Sequence, residues 1–99
     1  MSDGILVVES APASAEDTPG FHKWYDEVHI PEMLGLDGFV SARRYAADDG
    51  GTYVAVYEIS GDIEAAKASL AAAQQSRTMS MPDGFNLAGR PTVRYFRTV

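Results

Sequence analysis

Two alternating segments on either side of a tight turn constrain this chain more than any other feature. Residues 39–45 (FVSARRY) and 52–59 (TYVAVYEI) alternate in the way of β-strands with two different faces. In the first segment, alternation places Phe39, Ser41, Arg43 and Tyr45 on one face. Residues 48–51 (DDGG) lie between them and are typical of a hairpin turn, because aspartate and glycine tolerate the backbone that tight hairpins need. The middle of the chain therefore predicts an antiparallel β-hairpin.

The segments that flank this hairpin predict two helices and two further strands. Residues 5–8 (ILVV) are typical of a buried strand, and residues 91–99 of a closing strand rich in Thr, Val, Tyr and Phe. A helix is expected from residues 17–19 and should break near Pro31, whose ring disfavours helix at the preceding residue. The alternative is that Pro31 opens a second short turn over residues 31–34 (PEML). Asp62 is expected to cap a second helix over residues 63–76.

The resulting order, β-α-β-β-α-β, predicts one domain over residues 1–99 with an α+β, ferredoxin-like fold. In that fold a four-stranded antiparallel sheet carries two helices on one face. Alternation puts Tyr53 and Tyr57 on one face of the sheet, and Val54 and Val56 on the other. Two helices cover only one apolar face, so the other is expected to pair with a second copy, forming a homodimer.

Composition removes several classes of function. The formal net charge is −6 and no basic run occurs, which argues against binding to nucleic acid or to an anionic membrane. The chain has no cysteine, so it has no disulfide framework, no thiolate nucleophile and no cysteine metal site. The first ten residues fit neither a signal peptide nor a membrane span. A cytoplasmic protein is therefore expected.

The chemistry-bearing residues concentrate in residues 21–34 (FHKWYDEVHIPEML), which hold both histidines and the single tryptophan. Helical spacing places Phe21, Trp24 and Val28 on a core-facing stripe. The same spacing places His22, Asp26 and His29 together on one flank, with Tyr25 between the flank and the stripe. His29 follows Tyr25 by four residues and Asp26 by three, and both spacings allow side-chain contact.

Three interpretations of this flank remain open. In the first, His29 is a general acid/base, Asp26 holds its ring, and Tyr25 donates a hydrogen bond to a carbonyl or enolate oxygen. In the second, His29 ends a helix and satisfies the carbonyls freed by Pro31. In the third, His22, Asp26 and His29 bind a metal, but two imidazoles and one carboxylate are a thin ligand set. No metal or other cofactor is predicted.

A pocket between the helices and the sheet is expected around His29. The candidates to line it are Trp24, His22, Met33, Phe39 and Tyr57. Core packing is the competing interpretation for Trp24 and Tyr57. Arg43 and Arg44 alternate, so at most one faces the helices, where it binds a substrate carboxylate or forms a salt bridge. Met79 and Met81 lie in a loop that is expected to close over a small apolar ligand.

A family resemblance adds to this interpretation. The stretch FHKWYDEVHIPEML followed by GFVSARRY resembles the dimeric α+β-barrel superfamily, in particular its EthD-like members. The matching residues are Trp24, Tyr25, Asp26, His29, Ile30, Pro31, Gly38, Phe39 and Arg44. The resemblance implies a homodimer whose open sheet faces meet, with a pocket in each subunit between helices and sheet.

The resemblance also implies a class of chemistry. Several cofactor-free members use a pocket histidine, often with tyrosines, for proton transfer, and His29 matches that position. The expected function is isomerisation, lyase chemistry or cyclisation of a small apolar or aromatic metabolite. A non-catalytic ligand-binding or accessory module is the alternative, and a cofactor-free monooxygenase is a third.

Overall fold

The computed structural model describes residues 3–76 and 79–99, and within them it confirms the α+β, ferredoxin-like fold. The antiparallel sheet contains β1 (Gly4–Ser10), β2 (Phe39–Ala46), β3 (Tyr53–Ile59) and β4 (Thr92–Arg97), in the order β2-β3-β1-β4. The first helical segment comprises α1 (Thr18–Trp24), a π turn (Tyr25–His29) and α2 (Ile30–Leu34), after a short 3-10 turn (Ala15–Asp17). The second helix is α3 (Ile63–Gln75). Both helical segments pack on the same face of the sheet.

The central hairpin forms as its sequence predicts. The backbone N–H of Ala47 donates to the carbonyl of Thr52, and that of Gly50 donates to the carbonyl of Ala47. Gly50 and Gly51 have φ values of +79° and +89°, a conformation that glycine adopts without steric cost. The two glycines therefore explain why the chain reverses at this point.

A β-bulge in β2 changes which residues face the helices. The pairing between β2 and β3 shifts between Phe39 and Ser41, so one extra residue is accommodated there. Phe39 then shares the helix-facing side with Ala42 and Arg44, whose partners on β3 include the buried Ala55. Strict alternation, which predicted Phe39 on the same face as Ser41 and Arg43, is wrong because it does not anticipate the bulge.

The second helix begins at the predicted cap. The Asp62 carboxylate accepts a hydrogen bond from the Glu64 N–H at 3.1 Å, which satisfies one of the free donors of the first turn. α3 buries Ile63, Ala66 and Ala73 against the sheet. At Gly38 a methyl group would lie 3.1 Å from the Ala66 Cβ, so small residues on both elements allow this close approach.

The two sheet faces differ sharply in burial. On the helix side, Leu6, Tyr57 and Ile59 are almost completely buried in the core. On the other side, Val7 pairs with Val56 across the two central strands, and both are only half-buried by their neighbours in the sheet. Val40, Tyr45 and Phe96 are exposed large apolar side chains, at 58%, 50% and 38%. This face thus presents apolar side chains, with Arg43 and Arg94 beside them on the outer strands, and no element of the described chain covers it.

Candidate active site

The first helical segment contains a π turn where the sequence predicted a break. The backbone N–H of Ile30 donates to the carbonyl of Tyr25, five residues earlier, and the helix continues through Pro31 to Leu34. In an α-helix, the Pro31 ring would press on the carbonyl of Glu27, four residues earlier. After the π turn, Pro31 lies in the first turn of the short helix α2, so the helical segment is not broken there and the second short turn predicted from Pro31 forms instead. Single π turns inside α-helices occur frequently at functional sites.

The π turn decides what His29 contacts. The i→i+5 bonding of this turn brings residues five apart onto the same side, and His29 follows Trp24 by five residues. The two rings stack, with their centroids 4.5 Å apart and an interplanar angle of 14°. Tyr25 and Tyr57 meet the imidazole edge-on, at centroid distances of 5.4 Å and 6.5 Å. We call Trp24, Tyr25, His29 and Tyr57 the aromatic cluster.

Asp26 and His22 are bonded to Arg44. The Arg44 Nη1 donates to the Asp26 Oδ1 at 3.1 Å, and the Arg44 Nη2 lies 3.0 Å from the His22 Nδ1. The guanidinium also lies 4.8 Å from the centre of the Tyr25 ring, and the side chain of Arg44 is only 16% exposed. The structure therefore does not bring Asp26 to the His29 ring as the sequence predicted. Arg44 is thus the arginine that faces the helices, and it forms the salt bridge that was one of its two predicted roles.

Three polar atoms of the aromatic cluster are buried without a hydrogen-bond partner in the described part of the chain: Trp24 Nε1, His29 Nδ1 and Tyr57 Oη. An unsatisfied buried donor or acceptor costs about 1–3 kcal/mol, so native proteins retain few of them. The cluster thus holds hydrogen-bonding capacity that the described residues do not use.

Burial keeps His29 and Tyr57 uncharged near neutral pH. Desolvation lowers the pKa of His29, although the carboxylate of Glu32 opposes that shift. Desolvation also raises the pKa of Tyr57, and the neighbouring Tyr25 adds to the increase. His29 is therefore a neutral imidazole at pH 7, and Tyr57 keeps its hydroxyl proton.

The two cluster tyrosines differ in what their hydroxyl groups contact. The Tyr25 hydroxyl is hydrogen-bonded to the hydroxyl of Ser10 on β1, at 2.9 Å. The Tyr57 hydroxyl has no partner in the described residues. The sequence predicted Tyr25 as the donor to a substrate oxygen and Tyr57 as part of the wall. In the structure, the unengaged hydroxyl is that of Tyr57.

The remaining predicted wall residues lie at different depths. Met33 and Phe39 are each 2% exposed and belong to the hydrophobic core behind the cluster. His22 lies beside Tyr53, with ring centroids 4.8 Å apart, on the Arg44 side of the helix. No group of three metal-binding side chains converges within residues 3–76 and 79–99, so His22, Asp26 and His29 do not form the ligand set that their spacing permits.

A loop covers the cluster from the outside. Phe85 packs against Phe21 and Trp24, with ring centroids 6.0 Å and 5.9 Å away. At one end of the loop, the Glu32 carboxylate accepts hydrogen bonds from the N–H and the hydroxyl of Ser80. At the other end, the Asp17 carboxylate accepts from the backbone N–H of Asn86, and does not cap α1.

The methionines of this loop behave differently from each other. Met79 packs against the core cluster, whereas Met81 is 79% exposed and covers nothing. Phe85 is the apolar residue that closes the site. A shallow depression of about 380 Å³ lies elsewhere, beside Asp3 and Arg97, and does not border the aromatic cluster.

Sequence reasoning missed Ser10 and Glu32 as neighbours of the cluster, and it left open which of Arg43 and Arg44 faces the helices. Glu32 was detectable, because it follows His29 by three residues on a helix. Ser10 and Arg44 reach the site only through strand pairing and the bulge, which leave no local signal.

Comparison of the chain with protein-family models, with curated proteins and with solved structures finds no match in any of the three. Within the described residues, no helix has the length and apolar character needed to cross a bilayer.

Proposed function

We propose that this protein is a small-molecule enzyme that uses His29 for cofactor-free proton transfer on an apolar or aromatic metabolite. The observation that carries the proposal is the unpartnered Nδ1 of a neutral, partly buried imidazole, next to two further unpartnered polar atoms. The resemblance of residues 21–34 to EthD-like members of the dimeric α+β-barrel superfamily supports the same class of chemistry.

The proposed step is proton abstraction next to a carbonyl group. A ring nitrogen of His29 accepts the proton from carbon, and the electron pair of the broken C–H bond moves onto the carbonyl oxygen. The hydroxyl of Tyr57 donates a hydrogen bond to the developing enolate oxygen. The sequence predicted this role for Tyr25, whose hydroxyl is bonded to Ser10. His29 then returns the proton to another atom, which completes an isomerisation, elimination or cyclisation without a cofactor.

The surroundings of His29 suit a proton that is taken up and released. The imidazole is neutral at pH 7, so it is ready to accept a proton. The Glu32 carboxylate then stabilises the imidazolium, because its charge favours the protonated ring. The orienting role predicted for Asp26 is not retained in the proposal, since Asp26 is bonded to Arg44.

The test is a His29→Gln variant assayed on ligands found by a thermal-shift screen of aromatic ketones, phenols and lactones. Turnover should fall by about 10²–10⁴-fold, because that is the usual contribution of a general acid/base. His22→Gln is the matched control, since it removes the other histidine and leaves the cluster intact. If His29→Gln converts the ligand as fast as the wild type, or if no ligand is converted, the proposal fails.

A non-catalytic ligand-binding module is the second candidate. It is favoured by one observation: no carboxylate of the described residues is hydrogen-bonded to His29 Nδ1, whereas catalytic histidines are commonly oriented by one. A binding module predicts that a ligand stabilises wild type and His29→Gln equally and remains unchanged in both.

We also propose that the protein is a homodimer through the open sheet face. Val7, Val54 and Val56 form the apolar centre of that face, and Arg94 and Arg43 lie beside them on the two outer strands. An apolar sheet surface of this kind is normally buried against a second layer, and a second copy supplies one by two-fold symmetry. In such a dimer the aromatic cluster of each subunit faces away from the interface.

A further inference from the structure

The hydrogen-bond and ion-pair partners of the charged residues around the aromatic cluster indicate the charge of the ligand. Arg44 is the cation that contacts the cluster, through the face of Tyr25. Its Nη1 is bonded to Asp26 and its Nη2 to His22. A carboxylate ligand would have to displace these partners, so Arg44 is not a ready anion receptor.

The carboxylate of Glu32 supplies a negative charge beside the aromatic cluster. Its negative charge acts on His29. Its hydrogen-bond donors in the described chain are the N–H and hydroxyl of Ser80, and both are uncharged. None of the described cations lies within 4.0 Å of the Glu32 carboxylate. A ligand beside His29 therefore meets a negative charge that is not paired with a cation of the described chain.

The unpartnered donors of the aromatic cluster also favour an uncharged ligand. The indole N–H of Trp24 can only donate, and the Tyr57 hydroxyl, which keeps its proton, is a second donor. Each of these neutral donors matches a lone pair of a carbonyl oxygen. They do not offset the desolvation of a carboxylate, which needs a paired cation when it is buried.

We infer that the site selects an uncharged, conjugated carbonyl compound, such as an aryl ketone, a lactone or a quinone, and rejects the corresponding carboxylate. This inference rests on the proposed function, because it specifies the ligand of the same site. The flat stacked pair of Trp24 and His29 and the edges of Tyr25 and Tyr57 favour a planar ligand.

The test compares probes that differ mainly in charge. The pairs are acetophenone and benzoate, 2-acetylnaphthalene and 2-naphthoate, and coumarin and coumarin-3-carboxylate, all at neutral pH. Trp24 is the single tryptophan, so the protein has one indole N–H resonance, and that resonance reports binding at the site. The neutral member of a pair should shift it, with a Kd at least about tenfold lower than that of the carboxylate.

A Glu32→Gln variant tests the cause of the selection. Glutamine keeps an oxygen that accepts from Ser80 and removes the charge, so the Kd gap within each pair should narrow. Glu27→Gln is the matched control, because Glu27 is an exposed acid of the same helical segment and its removal should leave the gap unchanged.

The outcomes separate the inference from the proposed function. If a carboxylate binds through the indole as tightly as its neutral counterpart, the inference on charge is wrong and the proposed function stands. If no probe moves the indole resonance, the site does not bind planar carbonyl compounds, and the proposed function and the inference fail together.

Discussion

The indole of Trp24 lies flat against the imidazole of His29, at a centroid distance of 4.5 Å. These residues are five positions apart, a spacing that an α-helix would turn to different sides. The π turn at Tyr25–His29 brings them together, and Pro31 lies two residues after its end. A proline within the helix and a stacked catalytic candidate are thus two aspects of one local structure.

Replacing Pro31 with alanine should separate the stacked rings of Trp24 and His29. Alanine supplies the missing N–H and removes the ring, so an ordinary α-helical turn becomes favourable and His29 rotates away from Trp24. The measurement is the set of NOEs between the two rings. Pro19→Ala is the control, because Pro19 lies in the first turn of α1, where its missing N–H has no partner within the helix. Unchanged NOEs in Pro31→Ala would contradict this account of the turn.

The stability of the protein should decrease as the pH falls between about 7.5 and 5.5. Burial lowers the pKa of His29 below its ordinary value of 6.5, and the opposing charge of Glu32 does not cancel the shift. In this range the unfolded chain binds a proton at residue 29 that the folded chain resists, so the free energy of unfolding rises with pH and levels off above the unfolded pKa.

Urea denaturation across this pH range measures the effect. His29→Gln should flatten the dependence, whereas His22→Gln should retain most of it. A His29→Gln variant with the same pH slope as the wild type would mean that other groups cause it.

The two tyrosines of the cluster should respond oppositely to the same change. Tyr57→Phe removes a buried hydroxyl without a partner, so the free energy of unfolding should stay the same or rise by up to about 2 kcal/mol. Tyr25→Phe removes the hydrogen bond to Ser10 and should cost about 1 kcal/mol. Urea denaturation of both variants checks the difference. A destabilised Tyr57→Phe would indicate that its hydroxyl has a partner after all.

Replacing Asp26 with asparagine should leave His29 nearly undisturbed. Asp26 is bonded to Arg44, and its side chain is 61% exposed, so the loss of this ion pair should cost less than about 1 kcal/mol. The NMR titration of the His29 ring should match that of the wild type. A clear change in the His29 titration would instead support the His29–Asp26 pairing that the sequence predicted.

A charge at the centre of the open sheet face should separate the proposed dimer. Val7→Lys places an ammonium group between Val56 and Arg94, where a sheet-to-sheet interface would bury two like charges together. Sedimentation should then give the mass of a monomer. Ala65→Lys is the control, since Ala65 is exposed on α3, on the opposite side of the sheet. A wild type that already sediments as a monomer would exclude the dimer.

The element order was predictable from sequence because it depends on local patterns. The alternation of residues 52–59, the turn at Gly50 and Gly51, and the cap at Asp62 each act within a few residues, and each has the predicted role in the structure. The importance of residues 21–34 was also visible, since no other stretch combines both histidines with the tryptophan.

Only the tertiary structure decided which of these residues meet. A one-residue bulge in β2 turns Arg44 toward the helix. There Arg44 is bonded to Asp26 and His22, which helical spacing had placed beside His29. A one-residue widening of the helix turns His29 toward Trp24. Periodicity assumes a constant rotation per residue, so a single inserted residue in a strand or helix redirects every side chain after it. The sequence by itself determined the elements and the chemical groups, and packing decided the contacts that give those groups their properties.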